Sequence, residues 1–104
     1  MENMHLCPKF ETAFDLLGKK WTGLIIMVLM NGPSRFCEIR DVIPELSDRM
    51  LTERFKELEK AVILKRSVYP ETPVRIEYEL TEKGFDLKTT FDEIQKWSDK
   101  WIKL

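Results

Sequence analysis

Apolar residues recur at helical spacing along most of the chain, and the period drops toward two only between residues 65 and 80. After Pro8, a residue suited to a first helical turn, Phe10, Phe14 and Leu17 predict a helix from Pro8 to about Leu17. Gly18-Lys19-Lys20 interrupts it. Trp21 to Met30 is apolar nearly all round, as a buried central helix is, and Asn31-Gly32-Pro33 stops it. Ser34 is placed to cap a third helix from Arg35 to about Val42, with Phe36, Ile39 and Ile43 inward. After a tight Pro44-Glu45-Leu46 connection, Ser47 is placed to cap a fourth helix from Asp48 to about Ala61.

Beyond Leu64 the segments Lys65–Tyr69 and Arg75–Leu80 alternate, with Pro70-Glu71-Thr72-Pro73 between them, which predicts a hairpin. Thr81 is placed to cap a last helix reaching Trp101, striped by Leu87, Phe91, Ile94, Trp97 and Trp101. Two short helices joined by a turn and followed by a hairpin predict an α+β, mostly α, winged helix-turn-helix. One domain spans residues 1–104, with the helix-turn-helix at about 35–61, the wing at about 65–80 and the last helix at about 82–102.

On a wheel of about 100° per residue, Leu51, Phe55, Leu58 and Val62 fall within roughly 60° of one another. Arg49, Glu53, Lys56 and Lys60 lie opposite, with Thr52 on the flank. A recognition helix uses its N-terminal end to reach base edges in the major groove. Arg49 suits bidentate pairing with guanine, and Thr52 a thymine methyl or a phosphate. Lys56 and Lys60 suit phosphates. Glu53 either accepts from a cytosine amine or repels the backbone. Arg75, near the hairpin tip, has two readings: insertion into a minor groove, or local pairing with Glu71 or Glu77.

The net charge of −1 speaks against a DNA binder only if the cations are spread evenly. They are not: Glu82, Asp86, Asp92, Glu93 and Asp99 all fall in the last helix. With 43% hydrophobic and 34% charged residues the composition is that of a folded domain, and the longest apolar run, Leu24 to Met30, is too short to span a bilayer. Met1-Glu2-Asn3 lacks the pattern of a signal peptide, and Cys7 and Cys37 are too few for a disulfide framework, so reduced thiols in a cytoplasmic protein are expected. His5 is the single histidine. No phosphate loop, nucleophile elbow or metal cluster is present, so neither an enzyme nor a cofactor or metal is expected.

Four stretches carry a family likeness: Gly18-Lys19-Lys20-Trp21, Gly32-Pro33-Ser34-Arg35-Phe36, Leu46 through Phe55, and Tyr78-Glu79-Leu80-Thr81-Glu82-Lys83-Gly84. In this order the chain resembles HxlR-type winged-helix regulators from Cys7 to Trp101. The resemblance implies a regulator of transcription, expected to repress, that binds an inverted repeat as a homodimer formed by its N- and C-terminal helices. It also implies that Arg35, Ser47, Arg49, Thr52 and Arg54 lie in or beside the DNA-facing motif. Arg54 flanks the core on the wheel, so a structural or phosphate-binding role suits it better than base contact. Where the family has glycine at the end of the recognition helix, this chain has Val62, so that end is expected to differ. Cys37 stands where a small polar residue is common and is expected to be a buried small hydrophobe.

Phe91, Ile94, Trp97 and Trp101, with Phe10 and Phe14, offer more apolar surface than a small core covers, which marks a dimer interface unless the last helix folds onto its own domain. Cys7 precedes Pro8 at the start of the first helix, where backbone amides favour an anion, and is a candidate redox or electrophile sensor. In thiol-sensing members of the family a cysteine near this position is the switch. No second cysteine lies nearby in sequence, so a disulfide joins two subunits or a small thiol. The rival reading is a winged helix that binds protein instead of double-stranded DNA.

Overall fold

The computed structural model describes residues 6–104; His5 lies outside the described residues. The elements run α1 (Pro8–Leu17), α2 (Thr22–Leu29), α3 (Phe36–Val42), α4 (Asp48–Lys60), β1 (Leu64–Tyr69), β2 (Arg75–Leu80), α5 (Glu82–Phe85) and α6 (Lys88–Trp101). Mostly helical, with a two-stranded antiparallel wing, this is a winged helix-turn-helix. The core gathers Ile25, Ile26 and Leu29 of α2, Ile39 of α3, Leu51, Phe55 and Leu58 of α4, and Leu64 and Leu80 from the root of the wing. None of the described helices is long and apolar enough to cross a membrane.

Three features differ from the sequence pattern, each for a local reason. Ser34 does not cap α3. It exchanges backbone hydrogen bonds with Tyr78 of β2, at 2.9 and 2.8 Å, and so joins the wing to the entry of the helix-turn-helix. Arg35 takes the N-cap position, where its N–H donates to the Glu38 carboxylate at 2.8 Å; a guanidinium has no acceptor to complete the reciprocal bond. The last helix is broken. Thr81 caps only α5, accepting from Gly84 N, and donates its hydroxyl to Val62 O at 2.6 Å. Gly84 lies so close to the wing root that a Cβ there would meet Ile63 O at 2.4 Å, so α5 stays pressed to the body while α6 starts afresh after Leu87.

The end of α4 is the third. Val62 adopts φ 59, a left-handed conformation that branched side chains resist. Its N–H donates to Glu59 O and that of Ile63 to Leu58 O, both at 2.9 Å, which is the Schellman pattern normally closed by glycine. Val62 is therefore not on the core face: it is 60% exposed, while Ile63, one residue on, is buried. The chain makes this turn with a branched side chain. A left-handed β-branched residue costs about 1–2 kcal/mol, and glycine's extra freedom in the unfolded chain returns part of that. Val62→Gly is expected to stabilise the protein by about 0.5–1 kcal/mol, raising Tm by about 2–6 °C in a thermal melt. An unchanged or lowered Tm would contradict the strained turn.

Candidate nucleic-acid interface

Everything about the candidate surface begins with α4. Leu51, Phe55 and Leu58 are buried, and burial of each contributes about 1.5–3 kcal/mol, which fixes the rotation of the helix. Arg49 is thereby turned outward, its side chain 90% exposed, and Thr52, Glu53, Lys56 and Lys60 are exposed as well. Ser47 caps the helix, its Oγ accepting from Met50 N at 3.1 Å. Thr52 Oγ1 donates to Asp48 O at 2.8 Å. Arg49 touches Glu53 at 3.6 Å across one helical turn, a long contact between exposed side chains. Arg35, at the head of α3, is exposed, and it, Lys56, Lys60 and Arg66 form no ion pair among the described residues.

Two ties that the periodicity could not reveal hold this surface in shape. Arg40, in the last turn of α3, pairs with Asp48 at the start of α4 and braces the turn between them. Phe55 stacks on Tyr78 with ring centroids 3.9 Å apart and meets Phe36 edge-on at 6.0 Å, so one buried side chain of α4 touches both α3 and the wing. The wing pairs Leu64 with Leu80 and Tyr69 with Arg75 across the strands. At its tip Arg75 makes the local pairing that the sequence allows. Its guanidinium bonds Glu77 at 2.7 Å and Glu71 at 3.1 Å and lies 4.1 Å from the centre of the Tyr69 ring. Those carboxylates, Glu71 first, raise its pKa further above the ordinary guanidinium value.

The flank of α4 next to the turn between α1 and α2 carries a third tie. Arg54, its side chain only 12% exposed, donates from Nε to Lys20 O at 2.9 Å and from Nη1 to the Glu57 carboxylate. Glu57 in turn pairs with Lys19 Nζ at 2.8 Å. Arg54 is thus held in contacts within the fold, in keeping with the structural one of the two roles its place on the wheel suggests, while the Lys19 partnership spans 38 residues and leaves no local sequence signal.

A second, apolar surface lies on α1 and α6. No residue of α1 is buried, and Phe10, Phe14, Ile94, Trp97 and Trp101 are all more than half exposed. Phe91 departs from the stripe: at 9% exposure it belongs to the chain's own core, because α6 leaves the body only after its first turn. Phe10, Phe14, Trp21, Leu24 and Met27 face Ile94 across an open groove of about 570 Å³. Cys7 is exposed at the N-cap of α1. Cys37 is exposed too, against the expectation of a buried thiol, because Phe36 and Ile39 take the inward positions of α3. Among the described residues no histidine, cysteine or carboxylate cluster is arranged to hold a metal.

A braced helix pair with an exposed cationic face, backed by a wing, defines a DNA-binding winged helix-turn-helix regulator. The HxlR-like helix-turn-helix family model matches residues 16–104, and the chain belongs to that family, which makes it a transcriptional regulator and not an enzyme. It is 57% identical over 98 residues to the HTH-type transcriptional regulator YodB of Bacillus subtilis (strain 168), covering 94% of this chain and 88% of that one. Solved YodB structures superpose closely. The reduced form has TM-score 0.86 and 56% identity, covering 95% of this chain and 97% of YodB. The diamide-treated form has TM-score 0.81 and 54% identity, covering 97% and 100%. For the quinone-bound form the values are 0.82 and 52%, covering 92% and 100%.

The Lys19 hydrogen bond, followed by the charge of Arg54, holds the Glu57 carboxyl below its ordinary pKa against the opposing effect of burial. A carboxyl depressed in the folded state stabilises the fold above its unfolded pKa, and that stabilisation is lost as pH falls through the folded value. Glu57→Gln is expected to lower Tm near neutral pH, with the gap to wild type closing as the carboxyl protonates below about pH 4. Melts across that range check it; a gap that does not vary with pH would contradict the pairing.

Proposed function

We propose that the chain is a homodimeric repressor whose two α4 helices enter the major groove at the half-sites of an inverted repeat, and that Cys7 makes this binding respond to oxidants and electrophiles. The outward cationic face of α4 is the observation that carries the first part. Arg49 pairs bidentately with a guanine. Giving up an exposed i,i+4 contact such as that with Glu53 costs about 0.3–0.5 kcal/mol, whereas a bidentate base contact discriminates by about 1–3 kcal/mol, so Arg49 transfers to DNA. Thr52 meets a thymine methyl or a phosphate, and Glu53 accepts from a cytosine amine. Ser47, Arg35, Lys56 and Lys60 bind phosphates and set the register. Arg75, committed to two carboxylates, shapes the tip of the wing, and Arg66 is the cation the wing offers to the duplex.

Phe10, Phe14, Ile94, Trp97 and Trp101 form the interface with the second copy, and Phe91 supports it from the core. An isologous dimer suits a palindromic site, with half-sites one helical turn or a multiple of it apart. For the second part, the support is the exposure of Cys7 at the head of α1, beside that interface, together with the similarity to YodB, which has been solved reduced, diamide-treated and quinone-bound. Diamide removes two electrons and two protons from a pair of thiols, so Cys7 joins the same residue of the other subunit or a small thiol. A quinone instead adds to the Cys7 sulfur directly. Either change alters α1 where the two copies meet.

Gel-shift titration against the DNA upstream of the chain's own reading frame tests both parts. Arg49→Ala is expected to lose about 1–3 kcal/mol of specific binding with its fold intact; wild-type affinity in that variant would remove α4 from recognition. Diamide is expected to change binding by wild type and by Cys37→Ser, and to leave Cys7→Ser unaffected. An equal response in Cys7→Ser would discard Cys7 as the sensor.

A further inference from the structure

Although α1 contains no fully buried residue, it is not free of the DNA-facing helix. The connection runs through the turn that follows it. Gly18 ends α1 as its C-cap, its N–H donating to Phe14 O at 2.9 Å, and Trp21 closes the turn in a left-handed conformation at φ 79. Between them stand Lys19 and Lys20, both fastened to α4: Lys19 through its ammonium to Glu57 at 2.8 Å, Lys20 through its carbonyl to Arg54 Nε at 2.9 Å. Arg54 also bonds Glu57 through Nη1 at 3.1 and 3.2 Å, so the two α4 residues form one unit, largely screened from water. The same helix carries Lys56 between these two residues in sequence and Arg49 one to two turns earlier, both exposed.

We infer that Arg54 and Glu57 act as positioning residues: with Lys19 and Lys20 they clamp the turn after α1 to the recognition helix, so that the placement of α1 and the placement of α4 on DNA are coupled. The inference rests on the reading of α4 as the helix that meets DNA, and is independent of whether Cys7 is a physiological sensor. The physical ground is a contrast in anchorage. Among the described residues, Leu16 and Leu17, both partly buried, are those of α1 that pack against the core, whereas the turn holds α4 by charge-assisted hydrogen bonds in a half-buried setting. Moving α1 therefore strains the clamp before it disturbs the core, and the strain falls on α4. Coupling of this kind is reciprocal: if the state of α1 alters DNA affinity, DNA alters the state of α1.

The test reads that reciprocal effect with the full chain in a Cys37→Ser background, where Cys7 is the one thiol. The rate of Cys7 alkylation by iodoacetamide is measured without DNA and at saturation with the upstream duplex, saturation being verified by gel shift in the same samples. DNA is expected to change the rate in the background protein by about fivefold or more, and by less than about twofold in Glu57→Gln and Lys19→Met. These two variants alter charge near the duplex in opposite senses, so a purely electrostatic role would move their DNA affinities apart, whereas loss of the clamp abolishes the alkylation response in both. Binding without a rate change in the background protein, or the same change in both variants, overturns the inference. A failure of the recognition-helix reading shows itself separately, as Arg49→Ala binding with undiminished affinity.

Discussion

Three side chains, Leu51, Phe55 and Leu58, decide the outward character of this protein. Their burial is worth several kcal/mol in sum, and an α-helix that hides one side must show the other. No surface interaction competes at that scale: the Arg49–Glu53 contact is exposed and long, and exposed pairs contribute less than about 1 kcal/mol. The basic face of α4 is therefore a consequence of the core. Phe55 extends the same logic to the neighbours, since its contacts with Phe36 and Tyr78 seat α3 and the wing against the helix they accompany.

The charge distribution follows from which cations already have partners. Arg40, Arg54 and Arg75 are engaged by Asp48, Glu57 and the Glu71–Glu77 pair, and they serve the shape of the scaffold. Arg35, Lys56, Lys60 and Arg66 stand exposed and form no ion pair among the described residues. A chain with a net charge of −1 thus keeps exposed cations on its helix-turn-helix and wing, and the paired arginines explain why a count of basic residues is a poor guide to them. The apolar stripe on α1 and α6 lies on other elements than the outward face of α4.

The helix-turn-helix and the wing were legible because each has a period and punctuation: apolar spacing on α4, Ser47 before it, alternation on β1 and β2. The departures arise where tertiary contacts override local preference. Ser34 has the chemistry of a cap, yet its backbone is taken by Tyr78, more than forty residues away. Val62 has the wrong side chain for a left-handed turn, and the wing root imposes that turn because Ile63 must be buried. The break at Leu87 carries no glycine or proline, and it follows from the close approach of Gly84 to Ile63. On the candidate interface, Arg49, Lys56 and Lys60 could be placed from the wheel, whereas the commitment of Arg75 to carboxylates and the reach of Lys19 to Glu57 depend on side chains meeting across the fold.

The most direct measurement is a map of amide chemical shifts as the protein is titrated with its upstream duplex, at low and at high salt. If the outer side of α4 enters the groove, shifts concentrate between Ser47 and Lys60, with a second set at Arg35 and in the wing, and they fade as salt displaces the protein from phosphate. Shifts confined to Trp97, Trp101 and the rest of the α6 stripe, persisting at high salt, would contradict it.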